Sequence, residues 1–195
     1  MIKKLALTLA LASISASAAA SVVVFSENFE SYTTGLTGSG AQFQTYGSTL
    51  GPWSIAGTVD TIKGGYGAIS GISLDLDGSP GNGATTTTIA TIIGNVYQLN
   101  FDYSGNGGAR PFNVSFGSLS YGPLSSGGVT SFASGFFTAT TTTTTLTFQG
   151  ISPDVNNGGT IDNITVTNVP EPGVLALLMA GLAVGGLVTR RNKKK

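Results

Sequence analysis

Val96-Tyr97-Gln98-Leu99-Asn100-Phe101-Asp102-Tyr103 is the stretch whose reading decides the fold. In an extended chain side chains alternate, so Tyr97, Leu99, Phe101 and Tyr103 fall on one side and Gln98, Asn100 and Asp102 on the other. The same period of two recurs in Ile72-Ser73-Leu74-Asp75-Leu76-Asp77, in Phe112-Asn113-Val114-Ser115-Phe116 and in Thr160-Ile161-Asp162-Asn163-Ile164-Thr165-Val166. Clusters of Gly, Ser, Asn and Pro separate these runs, as in a sandwich or barrel of short strands. Between Ser21 and Val169 no apolar repeat at helical spacing exceeds a single turn. The pattern predicts an all-β, antiparallel β-sandwich with one face of each sheet packed and the other polar. The threonine runs Thr85 to Thr88 and Thr140 to Thr145 read as strands too, because β-branched side chains suit the pleat and Ile89 and Leu146 stand beside them.

Outward from this region both ends change character. Met1-Ile2-Lys3-Lys4, the apolar Leu5 to Leu11 and the small residues Ser13 to Ala20 have the order of a secretory signal peptide, with cleavage expected after Ala18 or Ala20. At the other end Val169-Pro170-Glu171-Pro172 precedes an uncharged apolar run, 173–189, and then Arg190-Arg191-Asn192-Lys193-Lys194-Lys195. A spanning helix takes about 17–25 apolar residues, so this run predicts one transmembrane helix at the short limit. The basic tail, 190–195, would stay cytoplasmic and leave the rest of the chain outside. The expected division is therefore 1–20 signal peptide, 21–168 ectodomain and 169–195 tail.

The two ends also hide the charge of the middle. Of nine Lys and Arg residues, seven lie in the termini; between Ser21 and Pro172 only Lys63 and Arg110 face nine acids, a net charge of −7. Nucleic-acid binding is excluded as an expectation, because phosphate contacts need clustered cations. There is no cysteine and no histidine. Ser-His-Asp or Cys-His catalysis and imidazole- or thiolate-ligated zinc are thereby excluded. Stability outside the cell must come from the core or from a metal held by oxygen.

The tripartite end, Pro170-Glu171-Pro172, apolar run and Arg190-Arg191 tip, resembles the C-terminal sorting signal of the PEP-CTERM family of Gram-negative bacteria. The resemblance implies export through the secretion machinery and transient anchoring in the inner membrane with the C-terminus cytoplasmic. An exosortase-like membrane enzyme would then recognise Pro170, Glu171 and Pro172 and release the ectodomain to the cell surface or extracellular polysaccharide matrix. A stiff Pro-rich linker ahead of a permanent anchor has the same local chemistry. From Trp53-Ser54-Ile55 through Ile161-Asp162-Asn163-Ile164-Thr165-Val166 the order of elements looks like jelly-roll modules of the galactose-binding-domain-like superfold, which resemble carbohydrate-binding modules. The resemblance implies glycan association or adhesion without catalysis. It also implies a structural Ca²⁺ where an early Phe29-Glu30 and a late Ile161-Asp162 meet, with Glu30, Asp162 and backbone carbonyls as ligands.

Three other groups of residues are candidates from their chemistry. Asp75 and Asp77, two apart on one strand, would point to one face about 6–7 Å apart, near the separation of glycosidase carboxylates. That supports the alternative of a carboxylate-dependent matrix polysaccharide hydrolase; a solvated strand face, or an aspartate organising the turn at Gly78-Ser79-Pro80-Gly81-Asn82-Gly83, reads the same. Asp75 to Thr86 fails as an EF-hand, since Pro80 replaces the turn glycine and Thr86 the bidentate Glu. Tyr32, Phe43, Tyr46, Tyr66 and Tyr121, in loop-like surroundings, are candidates for stacking on sugar rings, with Asn106, Arg110 and Asp77 as polar contacts. Trp53 reads as core. A purely structural surface protein is the remaining alternative.

Overall fold

In a computed structural model, the described residues are 20–170 other than 39 and 155. The expected signal peptide up to residue 19, the apolar run 173–189, the basic tail, and Glu171, Pro172, Arg190 and Arg191 of the sorting signal lie outside them. The described chain is built of strands: β1 (Val22–Glu27), β2 (Gln42–Tyr46), β3 (Thr49–Leu50), β4 (Trp53–Ala56), β5 (Val59–Lys63), β6 (Ile72–Asp75), β7 (Asp77–Gly78), β8 (Gly81–Asn82), β9 (Ala84–Ala90), β10 (Val96–Gly105), β11 (Phe112–Phe116), β12 (Leu119–Leu124), β13 (Thr130–Ala133), β14 (Phe137–Thr138), β15 (Thr143–Gly150) and β16 (Gly159–Val169). One 3₁₀ turn at Gly64–Tyr66 is the single helical element among the described residues. No helix of the described residues is long and apolar enough to cross a membrane.

Two antiparallel sheets carry nearly everything. The larger runs β13-β10-β16-β6-β5-β2, with β1 also on β16 and β14 also on β10; the other runs β12-β11-β15-β9-β4-β3. Long β16 is the spine of the larger sheet: β10 lines one edge of it, and β1 and β6 share the other end to end, β1 against 164–168 and β6 against 160–161. The terminal strands β1 and β16 are thus neighbours, as the jelly-roll reading requires.

The expected alternation holds in the deciding stretch. Tyr97, Leu99 and Phe101 are buried while Gln98, Asn100 and Asp102 are half-exposed. Phe112, Val114 and Phe116 of β11 and Leu146 and Phe148 of β15 are buried opposite them, on the inner face of the other sheet. Trp53 sits between the sheets at 1 % exposure, against Phe25, Phe29 and Phe148 at ring-centroid distances of 5.7, 6.3 and 6.2 Å. Phe101 meets Phe148 edge-on at 5.0 Å, a geometry that aromatic quadrupoles favour. The threonine runs follow the same rule where they are strand: Thr85, Thr87 and Thr144 are buried, and Thr88, Thr143 and Thr145 are exposed. Thr140 to Thr142, expected as strand, bend ahead of β15 instead, where the carbonyls of Thr141 and Thr142 accept from Thr91.

Two departures have local causes. In β16, Ile161 and Ile164 both point inward although three residues apart, because the pairing with β10 slips between Asn100 and Asp102 and Asn163 takes a left-handed φ of 50°. A bulge inserts the extra residue that the strict period lacks. In β6 no side is solvated: Ile72, Ser73, Leu74 and Asp75 are all buried. The outward side expected to meet water is covered by the segments at Ile69–Ser70, Asn106 and Gly158, which reach Ser73 and Asp75.

Candidate functional site

The six strands of the smaller sheet contain no Asp, Glu, Lys or Arg. Every charged residue of 21–169 lies on the other sheet, in β7 or in a loop. The outward positions of this sheet are hydroxyls and amides with the alanines Ala56, Ala84 and Ala90 beside them, and the register lines the polar ones up. Ser120 pairs with Ser115, Ser115 with Thr147, Thr147 with Thr86, Thr86 with Ser54, and Ser54 with Thr49, a row of hydroxyl side chains across all six strands. Neighbouring strands lie about 4.8 Å apart, which sets the step along the row. Thr86 and Thr147 are hydrogen-bonded to each other at 3.0 Å. Beside the row, Asn113 pairs with Gln149.

Over β11, β12 and β15 this face sinks into a depression of about 350 Å³ lined by Asn113, Ser115, Ser120, Tyr121, Thr147 and Gln149. Tyr121 pairs with the buried Val114, so its ring turns to the core side of β12. Its hydroxyl accepts the Gly135 N–H at 2.7 Å, and its ring meets Phe132 edge-on at 5.1 Å, which ties β12 to the larger sheet. Gln149 is exposed, and Asn113 and Thr147 are half-exposed. The depression offers neutral donors and acceptors. That chemistry suits a polyhydroxyl ligand and gives nothing to hold an anion or a cation.

The aspartates named from sequence form a different site, closed to ligands. Asp75 and Asp77 are 1 % and 0 % exposed, and they do not share a strand: Leu76 breaks out of the ladder, donating its N–H to the Gly159 carbonyl and accepting from Gly83. Asp75 Oδ1 accepts the Asp77 N–H at 3.0 Å and Oδ2 accepts from Asn106 Nδ2 at 2.9 Å. Burial pushes the Asp75 carboxyl up to about 7 despite those two bonds, with the Asp77 and Asp60 carboxylates adding to the push. Neither oxygen of Asp77 has a hydrogen-bond partner among the described residues. Its neighbour Ser152 donates to the Asn157 carbonyl at 2.9 Å instead. Burial pushes Asp77 up to about 6; Ser152 and Arg110 nearby pull it down and Asp154 adds to the push. Gly158 closes the cluster, for a Cβ there would collide with Asp75 Oδ1. The aspartates are therefore neither a solvated strand face nor within a substrate's reach, and of the three readings only the turn-organising one describes Asp75.

The other sequence candidates separate in the same way. Asn106 is spent on Asp75, and Arg110 pairs with Asp154 while its Nε donates to the Asn106 carbonyl. With Asp77 buried, the three polar contacts expected for sugar belong to one structural network. Phe43 and Tyr46 stand on β2, not on a loop, and Tyr121 on β12. Phe43 is 47 % exposed and edge-on to Tyr66 at 5.8 Å, with no depression beside it among those described. Tyr32 turns inward, donating its hydroxyl to Glu27 at 2.9 Å; burial, with Glu27, pushes it up to about 12. Tyr121 borders the depression, but its ring is spent on Phe132 on the core side.

Glu30 and Asp162 are brought to one place. Glu30 Oε1 accepts the Ile72 N–H at 3.0 Å, and Asp162 Oδ2 accepts from Ser70 and Ser73 at 3.1 and 3.0 Å. Both carboxylates grip the four residues 70–73, and a Cβ on Gly71, whose φ is +50°, would collide with the Glu30 carboxylate. Burial raises the Asp162 carboxyl, and the Asn163 N–H and the two serine hydroxyls pull against it. No three His, Cys, Asp or Glu side chains come together around a metal-sized site among the described residues. Asn113, Ser115, Ser120, Thr147 and Gln149 were not singled out by sequence reasoning; the one signal pointing to them was their place at polar positions of alternating strands.

No family model and no curated protein matches this chain. Solved structures do. The chain is similar to a family 61 carbohydrate-binding module in complex with β-1,4-galactotriose (14 % identity, TM-score 0.46, 73 % of this chain and 94 % of that one). It is also similar to a family 22 xylan-binding domain from Paenibacillus barcinonensis (13 %, TM-score 0.48, 80 % and 100 %). A third likeness, to an exo-β-1,3-galactanase from Phanerochaete chrysosporium (19 %, TM-score 0.39), covers 63 % of this chain and 28 % of that enzyme. These likenesses concern the sandwich fold.

Proposed function

We propose that this chain is an exported, non-enzymatic surface or matrix protein whose ectodomain associates with a neutral glycan across the smaller sheet. The observation that carries the reading is the charge-free face: every acid of 21–169 lies off the six strands of the smaller sheet, which align hydroxyls and amides around a 350 Å³ depression. A neutral polysaccharide presents hydroxyls that such a face can pair without desolvating a charge, and an acidic domain diffuses in an anionic or neutral matrix without adhering everywhere. The burial of Asp75 and Asp77 speaks against the hydrolase alternative, because a general acid must reach the bond it protonates. Delivery follows the sorting signal of Pro170, Glu171 and Pro172, the apolar run and Arg190-Arg191, with an exosortase-like enzyme as processing partner.

Titration calorimetry with β-1,4-galactotriose and with xylohexaose, neutral probes of two sugar stereochemistries, tests this. Wild type is expected to bind at least one of them, and Asn113→Ala and Gln149→Ala each to weaken it about tenfold, the cost of one lost contact of about 1.4 kcal/mol. Silence toward a broad set of neutral glycans, with the fold intact, would leave the purely structural surface protein.

The second part of the reading is the metal tie. Glu30 and Asp162 supply hard oxygens, the donor type that calcium takes, and they already converge on one segment. Bound there with backbone carbonyls, Ca²⁺ would fasten 70–73 to β16 more strongly than the present hydrogen bonds do.

A further inference from the structure

Exposed apolar side chains are not spread evenly over the described residues. Apart from Val129 (61 %), which precedes the Thr130 partner of Tyr103, the most exposed are Val22, Val23, Ile92, Ile93 and Phe136, at 56–65 %. The register places them at one end of the sandwich. Val22 pairs with Asn168 and Val23 with Thr167; Val96 pairs with Val169 on one side and Thr138 on the other. The Ile92–Asn95 turn, closed by the Asn95 N–H on the Ile92 carbonyl, feeds directly into Val96 and is tied to Ala139 by two backbone hydrogen bonds. Phe136 immediately precedes Phe137, the partner of Tyr97. This end contains no charged residue in 20–24, 91–95, 136–143 or 166–169, although the segment 21–172 carries a net −7.

It is also the end at which the chain leaves the domain. Beyond Val169 the sequence has three residues, 170–172, before the apolar run 173–189 begins. Three extended residues reach about 11 Å at most. We propose that this apolar, charge-free end rests in the interfacial layer of the bilayer entered by 173–189, with Ile92 and Ile93 as the side chains that insert. The inference rests on the reading of 173–189 as a membrane span. Isoleucines held at the tip of a backbone-tied turn contribute little to their own core, whereas moving them from water into the headgroup boundary is favourable in proportion to the area buried. The absence of charge matters as much. Anionic lipid repels an acidic domain over about a Debye length, and a charge-free end is the part that can approach. A domain so seated has its strands pointing at the bilayer, and its hydroxyl face stays open to the side.

The chain has no native cysteine, so single labels report single positions. Full-length protein in vesicles of phosphatidylethanolamine and phosphatidylglycerol would carry an environment-sensitive fluorophore at Ile93→Cys, at Asn156→Cys on the far loop, or at Ala183→Cys in the apolar run. The expected result is a blue-shifted label at 183, a blue-shifted label at 93 that spin-labelled lipid quenches, and a water-like label at 156. Adding Ile92→Asp should return the label at 93 to water while 183 stays shielded. If 183 is shielded and 93 is as wet as 156, or if all three are equally shielded, the seated end is wrong and the anchor stands. If 183 is itself in water, the anchor reading fails and this inference fails with it.

Discussion

Both carboxylate oxygens of Asp77 lie out of water without a hydrogen-bond donor among the described residues, and burial raises its carboxyl so that the folded chain favours the acid form more than an unfolded chain does. With its pKa near 6 against about 3.9 in an unfolded chain, the native state binds the extra proton between those values. Stability from this group is fully present below about pH 4 and is lost as pH rises through 6. Asp75, pushed up to about 7, extends the same slope by one unit. Asp77→Asn should therefore match wild type near pH 4 and exceed it by about 1–3 kcal/mol above pH 7. Urea titrations at pH 4.5 and 7.5 check this; an equal difference at both pH values would mean that the buried charge is not what the substitution relieves. Thr85 makes the same point without titration. Its hydroxyl is fully buried and has no partner among the described residues, so Thr85→Val keeps the β-branched shape and should stabilise by about 1 kcal/mol, read as a rise in melting temperature. A loss of stability there would show that the hydroxyl has a partner in solution, a bound water for instance.

At the scale of elements the joint between segment 70–73 and β16 carries the clearest test. Its ties are the Glu30 and Asp162 carboxylates, and the Gly71 backbone passes where a side chain cannot. If calcium binds there, millimolar Ca²⁺ should raise the melting temperature of wild type over that in EGTA, and Asp162→Asn should abolish the difference. No shift in wild type would mean that hydrogen bonds alone make the joint. Gly71→Ala should cost about 1–2 kcal/mol with or without calcium, since a left-handed backbone penalises any Cβ. Sequence made part of this legible and not the rest, for reasons visible in single strands. The period of two in 96–103 and 112–116 was read correctly because each of those strands has one dry face and one wet face. It misled in 72–77, where the expected wet face is covered by segments more than thirty residues away in sequence, at Asn106 and Gly158. The hydroxyl row was out of sight for a related reason. Ser54, Thr86, Ser115 and Thr147 are unremarkable singly, and only the register of β4, β9, β15 and β11 puts them side by side. Glu30 and Asp162 were placed in one neighbourhood by family resemblance, and the pairing of β1 with β16 is what brings them there.

Across the whole molecule, charge and chain order describe one route. Bases are concentrated at the two ends of the sequence and acids in the middle, and within 21–169 one sheet and one end of the sandwich carry no charge. Whether these two surfaces act together depends on the fate of the tail. A retained helix would keep the apolar end beside a bilayer throughout the life of the protein, and the hydroxyl face would then collect glycan at the membrane. Cleavage near Pro170-Glu171-Pro172 would free that end into the matrix, where exposed isoleucines favour contact with other apolar surfaces. Extended, Pro-flanked backbone is the form a processing enzyme grips, and an alanine triplet would let the apolar run continue as helix toward Val169. The expected outcome, in the native host, is a mature wild-type chain lacking the residues from about 173 onward, as measured by intact mass, and a Pro170→Ala, Glu171→Ala, Pro172→Ala variant that retains Lys195 and stays with the inner membrane. If both chains retain Lys195, the tail is a permanent anchor. The seated end is then the working state of the protein, and glycan binding has to be assayed on vesicles.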